Sequence, residues 1–513
     1  MTTEIQALAT PEERLATAIT FIIYLVALAA IGVYARRVLR KTIIDKFIEE
    51  FYVAGRGLGA VVIAFLIAAG LCSVGTFVGG PGLSWLLGMP WVSIVGCQIF
   101  MNFAILYGIG KKIGIVARRI GAVSLGDVLF ERYEQSKLVA LLYTIPVLVF
   151  LISYCSVQFV GSSRIFEVMT GWPYMIALIL SGLVTIFYVT VGGIRGVGLA
   201  VVVQGVFMTV TTILLVAGVF NGIFTTYGGL VEANEAFMKI AGEAYLNLFR
   251  LPPALVISWW IIFTVGIIAL PHGLMASLTY KSARAMKMAI ILGSIIVTFW
   301  TYGLLWAGFF AKLWFPKLPV PDHAIPALAM KLLPPWFAGI IFAGVVGAAQ
   351  STIAAMTILM SSAFLQHIYR QIIKPSATPE ELRRIAFWTT LIIGAVAFLL
   401  AITQPPALEF IIIFAIGGLI SSLLWPLILG LFWKRGNKYG AIAGMIVGFM
   451  VFALGKSKLV PQIVTAFGGA DPVVAGMISS LIAYLIVTAV TPPPPLRIIQ
   501  IFWGAEPPEG AEK

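Results

Sequence analysis

The stretch LIAAGLCSVGTFVGGPG, residues 66–82, begins as an apolar helix and then loses its large side chains. Five glycines and a proline fall within a run that is otherwise long and apolar enough to cross a membrane. An unpaired backbone group in hydrocarbon costs several kcal/mol, so irregular backbone is tolerated only where protein buries it or where it lines a cavity. The stretch therefore predicts a broken membrane helix beside a cavity that holds something.

Composition places the whole chain in a lipid bilayer. Of its 513 residues 60% are hydrophobic and 11% are charged, and the mean hydropathy is +1.02. Soluble domains of this size do not have such a composition. The apolar runs predict an all-α polytopic membrane protein with about 13 transmembrane helices. The predicted spans are 16–35, 58–83, 88–109, 138–166, 173–191, 197–221, 253–277, 286–313, 336–366, 385–403, 409–433, 439–455 and 473–491.

Basic residues concentrate in the short segments between the apolar runs, and the net charge is +13. Cytoplasmic loops of membrane proteins carry an excess of Lys and Arg, so this distribution predicts orientation and gives no indication of nucleic acid. We expect a multi-pass plasma-membrane protein with its N-terminus outside and its C-terminus in the cytoplasm, with no obligatory protein partner indicated. The segments assigned to the inside include Arg36, Arg37, Lys111, Lys112, Arg118 and Arg119.

Enzyme signatures are missing from the sequence. It contains no Gly-rich loop followed by Lys-Ser or Lys-Thr for a nucleotide phosphate and no HExxH motif. Its cysteines, Cys72, Cys97 and Cys155, lie in apolar runs at unrelated spacings, which favours packing over a disulfide or a metal site. The sequence therefore predicts that the protein is not an enzyme, and it disfavours an ATP-driven pump. Because no ATP site is indicated, any uphill transport would draw its energy from an ion gradient.

A second interrupted run is FTVGIIALPHGLMASL, residues 263–278, where Gly266, Pro271 and Gly273 weaken the helix. Interrupted helices at corresponding positions of two inverted halves indicate the binding site of a secondary transporter. The predicted organisation is an extra helix and cytoplasmic linker (1–57), a first inverted repeat with core helices 1–5 (58–221), an outer loop (222–252), a second repeat with core helices 6–10 (253–433), two additional helices (434–491) and a cytoplasmic tail (492–513).

A third segment, residues 342–370, supplies oxygen atoms in an apolar helix. Ala348, Ser351 and Thr352 stand at positions i, i+3 and i+4, so one carbonyl and two hydroxyls share a helix face. Sodium prefers such oxygen ligands, and carbonyls freed at the break in residues 69–72 could complete its shell. The alternative is that both hydroxyls bond to their own backbone or bridge to a neighbouring helix.

Several sequence blocks, dispersed along the chain and collinear with those of a known family, carry a resemblance to that family. They are GRGLGAVVIA, TFVGGPG, VQFVGSSR, VGGIRG, LPHG, VPDHAIPALAMKLLPP and WPLILGLFWKRGNKYGAIAGMIVG. In these blocks the sequence resembles the sodium/solute symporter family. The resemblance implies a LeuT-like 5+5 inverted-repeat core with one helix before it and two after it. It also implies alternating access, with Na+ as the coupling ion and a small organic anion as the solute, pantothenate being the carboxylate that these blocks favour.

The resemblance further implies which residues bind. The sodium ligands would be the carbonyls of Ala69, Cys72 and Ala348 and the hydroxyls of Ser351 and Thr352. His272, beside the second break, could titrate or bind an anion, or it could be a structural histidine. The solute residues would be Ser73, Thr76, Gln158, Ile267 and Pro271, with His272 added for its position.

The chain also departs from the family pattern. Leu71 stands where many relatives carry Asp or Asn, Val201 where they carry Asp, and His367 where they carry an acid. Because Val201 lacks a side-chain oxygen, it argues against a second cation site and for one sodium per cycle. Leu71 makes the predicted cavity more apolar, which favours a solute that is a carboxylate with an apolar body. Arg164 could attract that carboxylate or could be an interfacial arginine. Another monocarboxylate or other small solute, proton coupling, an uncoupled facilitator and a solute sensor remain as alternatives.

Overall fold

The computed structural model describes residues 10–40, 46–97, 103–404, 408–457 and 459–504. Within these ranges all regular secondary structure is helical apart from an isolated β-bridge between Leu58 and Tyr280, and there is no strand. The all-α prediction is confirmed. The first eleven α-helices are α1 (Pro11–Arg40), α2 (Phe47–Val53), α3 (Ala60–Leu71), α4 (Gly80–Leu87), α5 (Met89–Gly96), α6 (Lys111–Ile120), α7 (Leu125–Arg132), α8 (Lys137–Thr170), α9 (Tyr174–Tyr227), α10 (Leu230–Ala241) and α11 (Glu243–Leu246).

The second half of the chain continues in the same way, and short 3-10 or π turns interrupt both halves. These turns are Ala54–Arg56, Gly75–Gly79, Phe103–Gly110, Gly266–Ala269, Ala276–Leu278, Pro321–His323 and Phe364–Ile373. The remaining helices are α12 (Pro253–Phe263), α13 (Pro271–Met275), α14 (Ala283–Trp314), α15 (Ala324–Leu332), α16 (Pro335–Ala363), α17 (Pro379–Ala401), α18 (Leu408–Phe432), α19 (Lys438–Lys456), α20 (Gln462–Thr465), α21 (Pro472–Val490) and α22 (Leu496–Trp503).

Nine helices in the described part of the chain are long and apolar enough to cross a membrane, and the bent pair α3 and α4 makes a tenth. One of the nine, α9, has 54 residues and is about 80 Å long at 1.5 Å per residue, too long for one crossing of about 30 Å. It bends at Gly193, whose φ of 53° and ψ of −162° are non-helical, and so supplies two crossings. The described parts of the predicted span 88–109 and the predicted span 253–277 consist of shorter helical pieces. The helices are therefore compatible with thirteen crossings.

Several basic residues predicted to lie in loops are instead helical. Arg36 and Arg37 lie within α1, and the four basic residues from Lys111 to Arg119 lie within α6. Lys and Arg have high helix propensity and long stems that carry their charge to the interface, so a helix can continue beyond the hydrocarbon. The predicted outer loop likewise contains α10 and α11, and the predicted tail contains α22.

The innermost helices are α16 and α18. In the most apolar 18-residue part of each long helix, 89% is buried in α16 and 78% in α18. The corresponding share in the other long helices is 33–56%. Helix α16 packs against α1, α8, α9 and the broken α3, while α18 packs against α8 and the 3-10 turn Gly266–Ala269. The interrupted segments and the hydroxyl-bearing helix predicted from the sequence therefore meet in the centre of the bundle.

Candidate functional site

The predicted break in the first core helix is present. Helix α3 ends at Leu71, Cys72 adopts extended backbone (φ −81°, ψ 91°), and the chain resumes with a bend of 63°. Side chains take over the backbone hydrogen bonds here: the Val74 N–H donates to Oε1 of Gln158 at 2.9 Å, and the Gly75 N–H donates to Oγ of Ser73 at 3.0 Å. The break is thus a fixed feature of the fold.

Oxygen atoms cluster where α16 passes the end of α3. The Ser351 hydroxyl donates to the Ala69 carbonyl at 2.6 Å and to the Ala348 carbonyl at 3.0 Å. The Thr352 hydroxyl lies 3.2 Å from the Ala69 carbonyl, 3.4 Å from that of Gly70 and 3.0 Å from that of Ala348. All of these residues except Gly70 were predicted as ligands, and the structure brings them together.

The chemistry of this cluster suits a small monovalent cation. All its oxygens are neutral, and the carbonyls of Ala69 and Gly70 belong to the C-terminal end of a half-helix, where the helix dipole is negative. Unwound carbonyls and half-helix C-termini are the groups that coordinate Na+ in secondary transporters. The fifth predicted ligand, Cys72, follows the last helical residue, and its extended backbone turns its carbonyl out of the helical pattern. These residues could hold sodium.

The second break lies against the first. Helix α12 ends at Phe263, and a 3-10 turn and the short α13 follow. A Cβ on Gly273 would lie 2.9 Å from Cδ2 of Leu71, so the absence of a side chain there lets the two breaks touch. His272 is buried, neither ring nitrogen has a hydrogen-bond partner among the described residues, and its ring lies 6.1 Å from that of Tyr154, edge to face.

A narrow cavity of about 30 Å³ lies between the two breaks, small beside the roughly 300–1,000 Å³ of typical ligand pockets. Of the predicted solute residues, Ser73 and Thr76 line it, and Leu71 adds the apolar wall expected of it. Pro271 and His272 do not line the cavity, and the side chain of Ile267 lies outside the described residues. The lining residues are Leu71, Ser73, Gly75, Thr76, Gly80, Val95, Tyr154, Phe263, Leu270, Thr301, Leu305, Glu409, Ile412 and Ile416.

Gln158 has a different position from the one expected. Its Oε1 accepts the Val74 N–H, and its Nε2 has no hydrogen-bond partner among the described residues. It does not line the cavity. In this structure it therefore holds the helix break.

Glu409 lines the cavity but was not expected from the sequence. It is the second residue of α18 and is 5% exposed. A Cβ on Gly75 or Gly79 would lie 2.9 Å or 2.6 Å from its Oε2, so two glycines of the opening stretch make room for this carboxyl. A single acid at the edge of a predicted span resembles an ordinary interfacial residue, and only the two prolines just before it, Pro405 and Pro406, signalled an unusual helix start.

A polar cluster lies beside the cavity, where α8 meets the turn Pro321–His323. Arg164 lies 3.5 Å from Asp322 and donates to the Gln404 carbonyl at 2.9 Å. Burial raises the pKa of Asp322, while Arg164 and the backbone N–H of Leu408 oppose that rise. Burial, assisted by Arg164, lowers the pKa of His323 to about 4, which keeps it neutral at physiological pH. Arg164 therefore has a carboxylate partner within the protein.

The family model for sodium:solute symporters matches residues 51–448, more than half of the chain. The chain belongs to the sodium:solute symporter family. It is 34% identical over 478 residues to the sodium/pantothenate symporter of Escherichia coli (strain K12), a match covering 92% of this chain and 96% of that one. It is 31% identical over 464 residues to the sodium/pantothenate symporter of Haemophilus influenzae, covering 89% and 92%.

The symporter also shares its fold with a substrate-bound, outward-open Na+-coupled sialic acid symporter. The TM-score is 0.76 at 20% identity, and the match covers 93% of this chain and 98% of that one. The predicted LeuT-like architecture is confirmed by this likeness. The family confirms the prediction of a sodium-coupled transporter that is not an enzyme, in a multi-pass membrane chain.

The positions at which the symporter departs from the family pattern are buried. Val201 is fully buried in α9. His367 is also fully buried, with Nε2 at 3.4 Å from Oγ of Ser124 and 3.7 Å from Oδ1 of Asp127. His367 thus contacts α7 and Tyr143 near the start of α8, and it is not part of the cavity lining.

Proposed function

We propose that this symporter imports pantothenate together with one sodium ion. The observation that carries the proposal is the group of neutral oxygens from α3 and α16 beside a cavity at the helix break. The two pantothenate-transporting relatives support the choice of solute, and the apolar cavity wall at Leu71 suits a carboxylate with an apolar body.

Each group then has a role. The carbonyls of Ala69, Cys72 and Ala348 and the hydroxyls of Ser351 and Thr352 bind sodium, with both hydroxyl protons turned away from the ion. Solute binding falls to the cavity side of the break, where Ser73 and Thr76 donate hydrogen bonds. Four further residues, Gln158, Ile267, Pro271 and His272, are assigned to shaping the site.

Sodium and solute share one helix break, which gives a physical basis for coupling. The carbonyls of residues 69–72 face the ion, and Ser73, the next residue, faces the solute cavity. Sodium bound there fixes the end of α3 and thereby the position of Ser73. Each ligand must then raise the affinity of the other by the same factor, because coupling between sites is reciprocal.

The energetics are consistent for an anion. Moving one negative charge into a cell at about −100 mV costs about 2.3 kcal/mol, and one accompanying sodium recovers that amount. The electrical terms cancel, so a tenfold sodium gradient supplies about 1.4 kcal/mol and at most tenfold accumulation. A second sodium would make the cycle electrogenic.

The chain organisation follows from the same proposal. The 58–221 and 253–433 halves form the two inverted repeats that move relative to each other around the site, while 1–57 and 434–491 contribute the additional helices. The basic ends of α1 and α6 and the loop before α19 face the cytoplasm, which leaves the N-terminus outside.

Uptake of labelled pantothenate into proteoliposomes tests the proposal. With an inward sodium gradient we expect saturable accumulation, and with potassium in place of sodium no accumulation. Unlabelled pantothenate, proline and a panel of monocarboxylates compete in parallel. Better competition by another solute would retain sodium symport and reject pantothenate, and flux indifferent to sodium would indicate a facilitator.

A further inference from the structure

Glu409 is a buried carboxyl inside the solute cavity, without a protein partner for one of its oxygens. Its Oε2 makes no hydrogen bond among the described residues, and the side chain is 5% exposed. Gly75 and Gly79 leave space for that oxygen on the cavity side of the helix break. The geometry is that of a group directed into a binding site.

An ionised carboxylate is expensive at this place. Ile412, Ile416, Leu305 and Leu71 form much of the cavity wall, and no Lys, Arg or His is among the lining residues that the structure describes. A charge in such surroundings requires a cation, or else the group stays neutral. An anionic solute in the same cavity would add repulsion between like charges.

Among the residues that the structure describes, the charged and titratable groups around Glu409 offer no compensating cation. Asp322 and Tyr154 act on it electrostatically, and neither is cationic. Arg164, in the polar cluster beside the cavity, is paired with Asp322, and Lys456, from the neighbouring α19, is paired with Asp471 at 2.7 Å. The segments Gly75–Gly79, Gly266–Ala269 and α12 contribute no charged side chain.

We propose that Glu409 is the proton-binding residue of the solute site. Its carboxyl takes a proton from water before the anionic solute binds, and the neutral acid then donates a hydrogen bond to the solute carboxylate. The proton thereby removes the repulsion and supplies a donor where the cavity has no basic side chain. This inference rests on the proposed anionic solute, and it makes solute affinity depend on pH while the sodium requirement stays.

Equilibrium binding of labelled pantothenate to the purified full chain at saturating sodium, from pH 5.5 to 9, tests the inference. The carboxyl of a simple acid has a pKa of about 4, so the solute is an anion throughout this range. We expect the dissociation constant of the unaltered symporter to rise at least tenfold with pH. In Glu409→Gln, whose side chain is a permanently neutral donor, we expect no such rise. Glu13→Gln is the matched control, since it removes a buried carboxylate in α1 that lies outside the cavity lining, and it should keep the rise.

A second measurement keeps the inference testable if Glu409→Gln does not fold. Dicyclohexylcarbodiimide reacts with protonated carboxyls in apolar surroundings, so the unaltered symporter should be modified at Glu409, faster at low pH and more slowly with pantothenate bound. Mass spectrometry locates the adduct.

Three results would overturn the inference. One is a flat pH profile in the unaltered symporter, and another is the same rise in Glu409→Gln as in the unaltered symporter. The third is a higher sodium concentration for half-maximal uptake in Glu409→Gln with an unchanged pH profile, which would make the residue a sodium ligand. Because the sodium requirement is measured in every variant, a symporter that neither binds nor transports pantothenate would instead reject the proposed function.

Discussion

At the scale of single residues, Ser351 and Thr352 donate to the same carbonyl, that of Ala69. Replacing both by alanine removes two oxygens from the proposed ion site and leaves small cavities. We expect the sodium concentration for half-maximal uptake to rise at least tenfold, equivalent to about 1.4 kcal/mol or more of lost binding free energy.

Thr357→Val is the matched control for this double variant. Thr357 carries a buried hydroxyl on the same helix, five residues beyond Thr352, and its Oγ1 lies 3.9 Å from Sγ of Cys155. Its sodium dependence should stay within a factor of two or so of the unaltered symporter. Equal losses in both variants would mean that hydroxyls along α16 act by packing alone.

Gln158 provides a second residue-scale test because it caps the break. Gln158→Leu leaves the Val74 N–H without its acceptor in a buried site, which costs about 1–3 kcal/mol. We expect a lower thermal unfolding midpoint and weaker solute binding. Gln350→Leu is the control, because that buried amide makes only a long bond of 3.4 Å to the Ser181 carbonyl. If the Gln158→Leu variant were as stable as the unaltered symporter but did not bind solute, Gln158 would instead contact the solute directly.

The residues of the site were predictable to different degrees. Ser351 and Thr352 follow from helical spacing, because positions i, i+3 and i+4 fix a shared face whatever the neighbours are. The positions of Gln158 and Glu409 at the site could not be predicted from helical spacing, because their roles depend on which helix lies opposite. Gln158 meets Val74 across 84 positions, and Glu409 meets Gly75 across more than 300.

At the scale of the helices, hydropathy predicted the spans and missed their connections. VGGIRG, residues 191–196, has the Gly-Gly pair and the charge typical of a loop, yet α9 runs through it. Arg195 forms an ion pair with Glu50, which neutralises the charge, and Gly193 takes up the bend. A pairing between segments so distant in the chain leaves no local signal, so the sequence indicated two helices and could not give the bend.

Gly193→Ala tests the bend. A Cβ there would lie 2.7 Å from Cδ2 of Phe51 and 2.9 Å from its carbonyl oxygen, and the backbone conformation is one that essentially only glycine adopts, at a cost of about 1–3 kcal/mol for other residues. We expect lower yield in the membrane and a lower thermal midpoint. Gly192→Ala, with helical backbone and its closest contact at 3.3 Å, should be milder. Equal stability of the two variants would contradict the role of the bend.

At the scale of the whole molecule, the distribution of basic residues predicts an N-terminus on the outside. In a variant without Cys72, Cys97 and Cys155, a cysteine at Thr10 should react with an impermeant maleimide on intact cells. A cysteine at Lys434, which is exposed between α18 and α19, should react only after permeabilisation. The reverse pattern would invert the proposed topology.

The central claim is that one sodium ion drives the solute through this site, and steady-state accumulation measures it most directly. Labelled pantothenate is followed in proteoliposomes at zero membrane potential and equal pH on both sides, over a series of inward sodium gradients. We expect the accumulation ratio to rise in proportion to the sodium ratio, about tenfold for a tenfold gradient. The Ser351→Ala, Thr352→Ala variant should approach that ratio only at higher sodium concentrations. Accumulation that rises as the square of the sodium ratio would require a second sodium, and none at any gradient would contradict sodium coupling.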